Sequence, residues 1–374
     1  MIRLGIVSAR ALRLGALACA VATALPPGAE AETIAGALVR AYQANPTLNA
    51  QRASVRATDE NVPRALSGYR PRLSATADAG AAYADIESAG AVSKQNLVPR
   101  GVGVQVNQNV FNGNRTANSV RQAQSQVLGA RETLRNTEGN VLFDGATAYM
   151  NVLRDTAILN LQRNNIEVLE EQLRQTQQRF DVGEVTRTDI AQAQARLAAS
   201  RSQASLAESN LRTSIARYRQ IIGVEPRALA PGRPLERLPA SLSSAISISM
   251  EEHPAIKAAL HGVDAAELQI KVTEAELLPS FGLTGAVSQR YDVQTSGDNR
   301  LTASIVGQIT SPRYEGGEVY ARTRQAKETA GQRRIETEQV RDQVRAAVNS
   351  AWGQLEAATA QITAAEAQVA AAFS

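Results

Sequence analysis

The sequence predicts a mainly α fold with a small β part, arranged as two helix–strand–strand–long-helix repeats. Three observations lead there. Residues 115–180 hold no proline, and apolar Val120, Val127, Leu134, Val141 and Ala148 recur every seven residues, the seam of a packed long helix. Four short stretches alternate with period two, as strands do. The chain also resembles itself. Asn45-Pro46 and Tyr69-Arg70-Pro71-Arg72-Leu73 fall on His253-Pro254 and Leu277-Leu278-Pro279-Ser280-Phe281 at one offset of 208 residues. At an offset of 203, Phe111-Asn112-Gly113 falls on Tyr314-Glu315-Gly316, Arg121-Gln122-Ala123-Gln124 on Arg324-Gln325-Ala326-Lys327, and Ala148-Tyr149 on Ala351-Trp352. An aromatic content of 4% is too low for a compact globule of 374 residues and suits helices packed through small side chains.

The first 31 residues read as an export signal. Arg3, Arg10 and Arg13 precede the apolar run Leu14 to Leu25, which is too short to span a bilayer, and Ala29-Glu30-Ala31 supplies a small-x-small cleavage pattern. A short anchoring helix or lipidation at Cys19 are the other readings; no stop-transfer pattern follows, and Leu17 stands two residues before Cys19 instead of three. Cleavage after Ala31 would remove the chain's one cysteine.

The first repeat is expected over 32–223. Residues 33–66 carry a helical pattern with Ile34, Leu38, Ala41 and Tyr42 on one side, Thr33 or Glu32 as cap, and Pro63 then Pro71 as terminators. Strands follow at about 73–87 and 101–111; in the second, Val102, Val104 and Val106 oppose Gly103, Gln105, Asn107 and Asn109. A helical hairpin occupies about 115–222, broken at Asp181-Val182-Gly183-Glu184, restarted by Thr186 or Thr188 and stopped at Gly223. A Pro-, Gly- and Arg-rich connection spans 224–240. The second repeat, 241–374, copies this with a helix at 242–277, strands at about 281–291 and 301–310, and a long helix from about Gly317.

Four strands cannot close a barrel, and left open they would expose two edges and an apolar face. Three chains would supply twelve, a number compatible with an outer-membrane barrel. Val, Ile and Leu would then face lipid, and Gln105, Asn107, Asn109, Gln308 and Thr310 the lumen. A soluble sandwich or capping sheet is the other reading of the same pattern.

Several motifs are similar to those of the TolC-like outer-membrane factors, the exit ducts of type I secretion systems and multidrug efflux pumps. Ala41-Tyr42-Gln43-Ala44-Asn45-Pro46-Thr47-Leu48 resembles the motif opening the first repeat. Val110-Phe111-Asn112-Gly113 and Arg313-Tyr314-Glu315-Gly316-Gly317 resemble the two strand-to-helix junctions, and Arg179 to Ile190 the periplasmic tip of the first coiled-coil hairpin. The resemblance implies a homotrimer with a twelve-stranded barrel in outer-membrane lipid, continued by a periplasmic α-helical coiled-coil barrel. It also implies a periplasmic adaptor protein and an inner-membrane ABC or proton-driven transporter as partners. At the tip, Val182, Gly183 and Val185 become candidates for adaptor contact. Thr188 and Asp189 match residues that bond to a neighbouring hairpin and hold the tunnel closed; N-capping of the returning helix by one of them is the alternative. Counting from Trp352 as Phe180 lies from Tyr149 places a second tip past Ser374, near residue 383. On that count residues 1–374 alone are expected not to seal a tunnel.

No catalytic constellation is present, so an enzyme is not expected, nor is a cofactor or metal. His253 and His261 lack a nearby Cys or His, Glu251 and Glu252 read as helix-start charges beside Pro254, and Gly101-Val102-Gly103 precedes a strand instead of the helix a dinucleotide fingerprint needs. The 40 Lys and Arg are interspersed with 36 Asp and Glu, a solvated surface and not a nucleic-acid footprint. The competing function is a non-conducting periplasmic coiled-coil scaffold. Processing gives the first test: N-terminal sequencing of the mature protein should begin at or near Glu32, whereas a full-length cytoplasmic product would contradict the export signal.

Overall fold

The computed structural model describes residues 31–88, 91–232 and 238–373, so the expected signal segment before Ala31 and part of the connection lie outside the described residues. Helices α1 (Ile34–Ala44), α2 (Pro46–Asp59) and α3 (Asn61–Leu66) lead through a 3₁₀ turn into β1 (Arg72–Ala79). Strands β2 (Ala82–Ser88), β3 (Ala91–Leu97) and β4 (Arg100–Asn112) follow, then α4 (Arg115–Asp181) and α5 (Arg187–Ile222). After the connection come α6 (Leu242–Glu252), α7 (Pro254–Glu274), a second 3₁₀ turn, β5 (Ser280–Tyr291), β6 (Asn299–Thr310) and α8 (Glu318–Phe373). None of the described helices is long and apolar enough to cross a membrane.

The main sheet is antiparallel in the order β1-β4-β5-β6. The helices pack side by side in the matching order: α2 and α3 against α4, α4 against α7, α7 against α8. Each helix thus continues a strand of the same rank, and the sheet runs into a helical layer without a crossover. The 67 residues of α4 make it about 100 Å long at 1.5 Å per residue. Its first half lies in this layer and its second half pairs with α5, where Asn165 Nδ2 donates to Ser200 Oγ at 3.0 Å and Arg201 meets Glu170 at 2.7 Å.

Four expectations need correction. The helix read over 33–66 is three helices, because Pro46 has no N–H to continue α1; Asn45 instead leaves helical geometry (ψ 123°), and its Oδ1 accepts from the N–H of Thr47 at 2.9 Å and of Leu48 at 3.3 Å. Pro63 is not a terminator: it sits in the first turn of α3, where a missing N–H costs nothing. The strand read over 73–87 is β1 and β2, parted at Gly80 and Ala81 opposite Pro99 and Val98. The ladder keeps one register across the break, with Gly80 N–H donating to the Pro99 carbonyl at 2.8 Å. Its return strand, β3, was not expected. Glu251 and Glu252 close α6 instead of opening α7; His253 is the cap, its Nδ1 accepting from the Ala255 N–H at 3.2 Å. Burial holds the His253 imidazole below its usual pKa, in the neutral form this acceptor role needs.

The core lies where α1 and the connection wrap the middle of α4 and the end of α5. Ala37, Ala41, Ala148, Tyr149, Val152, Tyr218 and Ile222 are buried together. The Tyr149 hydroxyl reaches the carbonyls of Glu32 at 2.7 Å and Ala230 at 2.6 Å, tying the chain entering α1 to the connection; burial raises its pKa, keeping the donor protonated. Asn45 completes the clasp, Nδ2 donating to the Ile221 carbonyl at 3.0 Å. By contrast, every residue of α8 from 353 to 372 is exposed. Asn45→Ala removes both a cap and the partner of a buried carbonyl, and should cost about 2–3 kcal/mol, read as a lowered thermal unfolding midpoint. Asn45→Asp should keep the cap and lose less.

Candidate functional site

The first candidate site is the sheet itself. Cross-strand partners share a face, so the register decides which side chains meet. Leu73, Ala75 and Ala77 pair with Val106, Val104 and Val102; Val104 and Val106 pair onward with Val287 and Gly285, and these with Ala303 and Ile305. A largely apolar face results, with Leu301 and Ile309 on its β6 side and Gln108 and Gln289 as its polar interruptions, and its centre is uncovered: Val104 is 48% exposed and Ile305 80%. An irregularity between Asn109 and Phe111 shifts the register there and adds Phe111, opposite Phe281, to the apolar side. The other face is polar. Asn107 Oδ1 accepts from Gln105 Nε2 and Thr284 Oγ1, each at 2.9 Å, and Gln308 and Thr310 lie on the same side through Gly282 and Ser280. The two residue sets expected for lipid and lumen are therefore segregated onto opposite faces.

The upper rim closes with ion pairs, Arg290 to Asp78 at 2.8 Å on the polar face and Arg100 to Asp292 at 2.7 Å on the other. Arg100 also lies 5.4 Å over the Tyr291 ring.

The second candidate site is the turn between α4 and α5. The Gly183 N–H donates to the Phe180 carbonyl and the Glu184 N–H to the Arg179 carbonyl, both at 2.9 Å, the paired bonds of a Schellman C-cap. That motif needs a left-handed residue, and Gly183 supplies it at φ 81°. Arg179 and Glu184 pair at 3.0 Å across the turn. Thr186 is the N-cap of α5. Asp189, three residues on, takes the Thr186 N–H and hydroxyl on one carboxylate oxygen, each at 2.8 Å. These bonds hold its carboxyl below the usual carboxylate pKa. Thr188 lies exposed in the first turn of α5, Val182 is 73% exposed, and Val185 is half-buried. The turn thus brings Val182, Gly183, Val185, Thr188 and Asp189 together at one end of the hairpin. Of the two threonines expected as caps, Thr186 is the one, and neither Thr188 nor Asp189 takes the N-cap position; the three-residue spacing from Thr186 to Asp189 is the signal that separates them. Among the described residues no group of His, Cys, Asp and Glu is placed to hold a metal ion.

The chain belongs to the outer membrane efflux protein family: that family's model matches residues 37–224 and 245–373. It is an outer-membrane protein extending into the periplasm. Among its relatives is the outer membrane efflux protein BepC of Brucella suis biovar 1 (strain 1330), 41% identical over 332 residues that cover 88% of this chain and 71% of BepC. The outer membrane protein TolC of Escherichia coli (strain K12) is 25% identical over 317 residues, 79% of this chain and 62% of TolC, so the chain spans less than two thirds of that relative. Among solved structures, CusC superposes with a TM-score of 0.76 at 16% identity, over 88% of this chain and 77% of CusC, a likeness of fold.

The tip predicts its own pH response. A depressed folded-state pKa makes Asp189 stabilising above its unfolded value, about pH 3.9, and that contribution disappears as pH falls through the folded value. Amide protection factors across residues 179–190, corrected for the intrinsic pH dependence of exchange, should therefore fall on acidification from pH 7 to below that window. Asp189→Asn should exchange faster already at pH 7 and respond less to acid. Gly183→Ala should open the turn by about 1–2 kcal/mol, the cost of a left-handed alanine.

Proposed function

We propose that three copies of this chain join β6 to β1, close a twelve-stranded barrel in the outer membrane and extend it as an α-helical coiled-coil barrel into the periplasm. The assembly is a passive exit duct of a tripartite export machine. Substrates arrive from an inner-membrane ABC or proton-driven transporter through a periplasmic adaptor and leave without chemical change, with no turnover and no cofactor. Multidrug efflux and type I protein secretion are both compatible with this architecture. In this reading the two repeats, 32–223 and 241–374, each contribute half of a protomer's wall. Val182, Gly183 and Val185 meet the adaptor. Thr188 acts at the tip contact between neighbouring hairpins, with Asp189 holding the turn in shape.

One observation carries the proposal: all four strands in register put an uncovered apolar face opposite a hydrogen-bonded polar one. An apolar sheet face left in water would be an aggregation site, and a helical layer continuing the strands cannot fold back to cover it. Lipid is the solvent that fits it. The alternative, a coiled-coil scaffold whose strands merely cap its end, leaves that face without a role.

Two substitutions one residue apart discriminate. Val104→Arg should cost about 2–4 kcal/mol near the bilayer midplane and deplete heat-resistant trimer in outer-membrane extracts. Gln105→Arg, on the polar face, should assemble almost as wild type. Equal losses for both would refute the assignment of faces, and a monomer indifferent to both would support the scaffold.

A further inference from the structure

We propose that the polar face carries an oxyanion-binding subsite at its base, built from Arg70, Arg72 and Arg115 with the amides of Asn107, Asn109 and Asn112. The proposal deepens the export reading: the duct would favour solutes bearing carboxylate, phosphate or sulfate groups.

These residues line one concavity of about 490 Å³ at the point where the 3₁₀ turn enters β1 and β4 passes into α4. The register places them. Arg72 pairs with Asn107, and Asn109 lies on the same face beyond it, on the side opposite Val102, Val104 and Val106. Asn112 donates through Nδ2 to Thr116 Oγ1 at 2.6 Å, which fixes its amide at the wall. Arg115 is held by Glu276 at 3.4 Å, and Glu276 is shared with Arg322. Arg70 and Arg72 make no ion pair among the described residues, although each of the ion-paired arginines nearby has found a carboxylate. Two unpaired guanidinium groups and a third that shares its acid form a fork of donors matched to an oxyanion.

The rest of the polar face has the same sign. Beyond Arg72 the register assigns to it Asp78, Arg290 and Arg300, two cations against one carboxylate, and Asp78 is engaged by Arg290, which leaves Arg300 in excess. Charge of one sign along a concave wall raises the local concentration of counter-ions, so the wall would feed anions toward the arginines at its base. Arg313, Glu315 and Glu318 follow β6, the strand that would lie beside β1 in a closed barrel, and pairing of Arg70 or Arg72 with a carboxylate of the next copy is the rival use of these side chains.

The concavity is lined by one chain, so binding is measurable whether or not a barrel closes. Inorganic pyrophosphate titrated into the detergent-purified protein, followed by ³¹P line broadening, should bind to wild type and at least about tenfold more weakly to R70Q/R72Q, the loss expected for charge-assisted hydrogen bonds. Thr302→Gln, on the same face but away from the pocket and its bonded neighbours, should not weaken it. In planar bilayers the double variant should shift the reversal potential in a salt gradient toward cations. Absence of pyrophosphate binding to wild type, or equal binding to R70Q/R72Q, overturns the subsite even if the protein conducts. So does loss of trimer in R70Q/R72Q matched by Glu315→Gln or Glu318→Gln, which would identify the arginines as an interface. Arginine-dependent binding without conductance supports the subsite and counts against the duct.

Discussion

The junction between sheet and helical layer is the constraint on which the rest of the fold depends. Neighbouring strands lie about 4.8 Å apart, whereas packed helices need about 8–10 Å between axes. Four helices can continue four strands in the same order only if each junction steps the chain sideways within a few residues. Two devices do this. On leaving the sheet, the backbone turns through left-handed residues, Gly113 and Asn114 after β4 and Gly316 and Gly317 before α8. A side chain at Gly113 would place its Cβ 2.7 Å from that of Leu278, on the neighbouring junction, so close approach and positive φ both demand glycine there. On entering the sheet, the helices tighten into 3₁₀ turns followed by Pro71 or Pro279, which set the extended backbone that begins β1 and β5.

From this step follows the division of α4. Its first half is fixed in a layer by lateral neighbours on both sides, α2 and α3 on one and α7 on the other. Its second half has only α5, and there the pairing is sustained by small residues and polar contacts. Buried Asp155 meets Arg154 at 2.8 Å and receives the Ser214 hydroxyl, a satisfied polar group within an otherwise apolar seam. The exposed ion pairs along both helices add little stability individually. The mass of packing sits between the two regimes, at Tyr149 and Tyr218, whose ring centroids stand 6.4 Å apart beside the clasped chain entry and connection. The long helix is therefore gripped at its middle, with the hairpin tip projecting away from the core.

What the sequence revealed tracks how local each signal is. The α4–α5 turn was readable because its geometry is written within ten residues: Gly183 for the left-handed cap, Thr186 and Asp189 for the next start. The faces of β4, β5 and β6 were readable because apolar and polar side chains alternate along most of each strand, with Gln108, Gln289 and Val306 as exceptions. β3 was not. Ala91-Val92-Ser93-Lys94-Gln95-Asn96-Leu97 has no apolar alternation and is extended only because β2 offers a backbone ladder. The break at Asn45-Pro46 was visible as a repeat marker but hidden as a helix boundary, since the apolar period continues across it. The arginine-lined concavity was beyond reach: residues 70, 72 and 115 come together through the β1–β4 register, and no spacing along the chain announces that pairing.

The exposure of those arginines also sets the strength of any site they make. A conduit needs attraction sufficient for entry and weak enough for release, a balance familiar from channels. A buried, fully paired arginine cluster would hold an anion too tightly for transit. Arg70 and Arg72 stand exposed on a polar wall, where solvent screens each contact and salt at physiological strength limits its range to about 8 Å. Such a site would bias the traffic near the wall without capturing it, and the interspersed charges elsewhere on the chain leave this patch as a local field instead of a property of the whole surface. Selectivity of this kind would need no moving part: the register places Arg72 opposite Asn107, so the same backbone pairing that separates the apolar face from the polar one also sets the charge of the polar one.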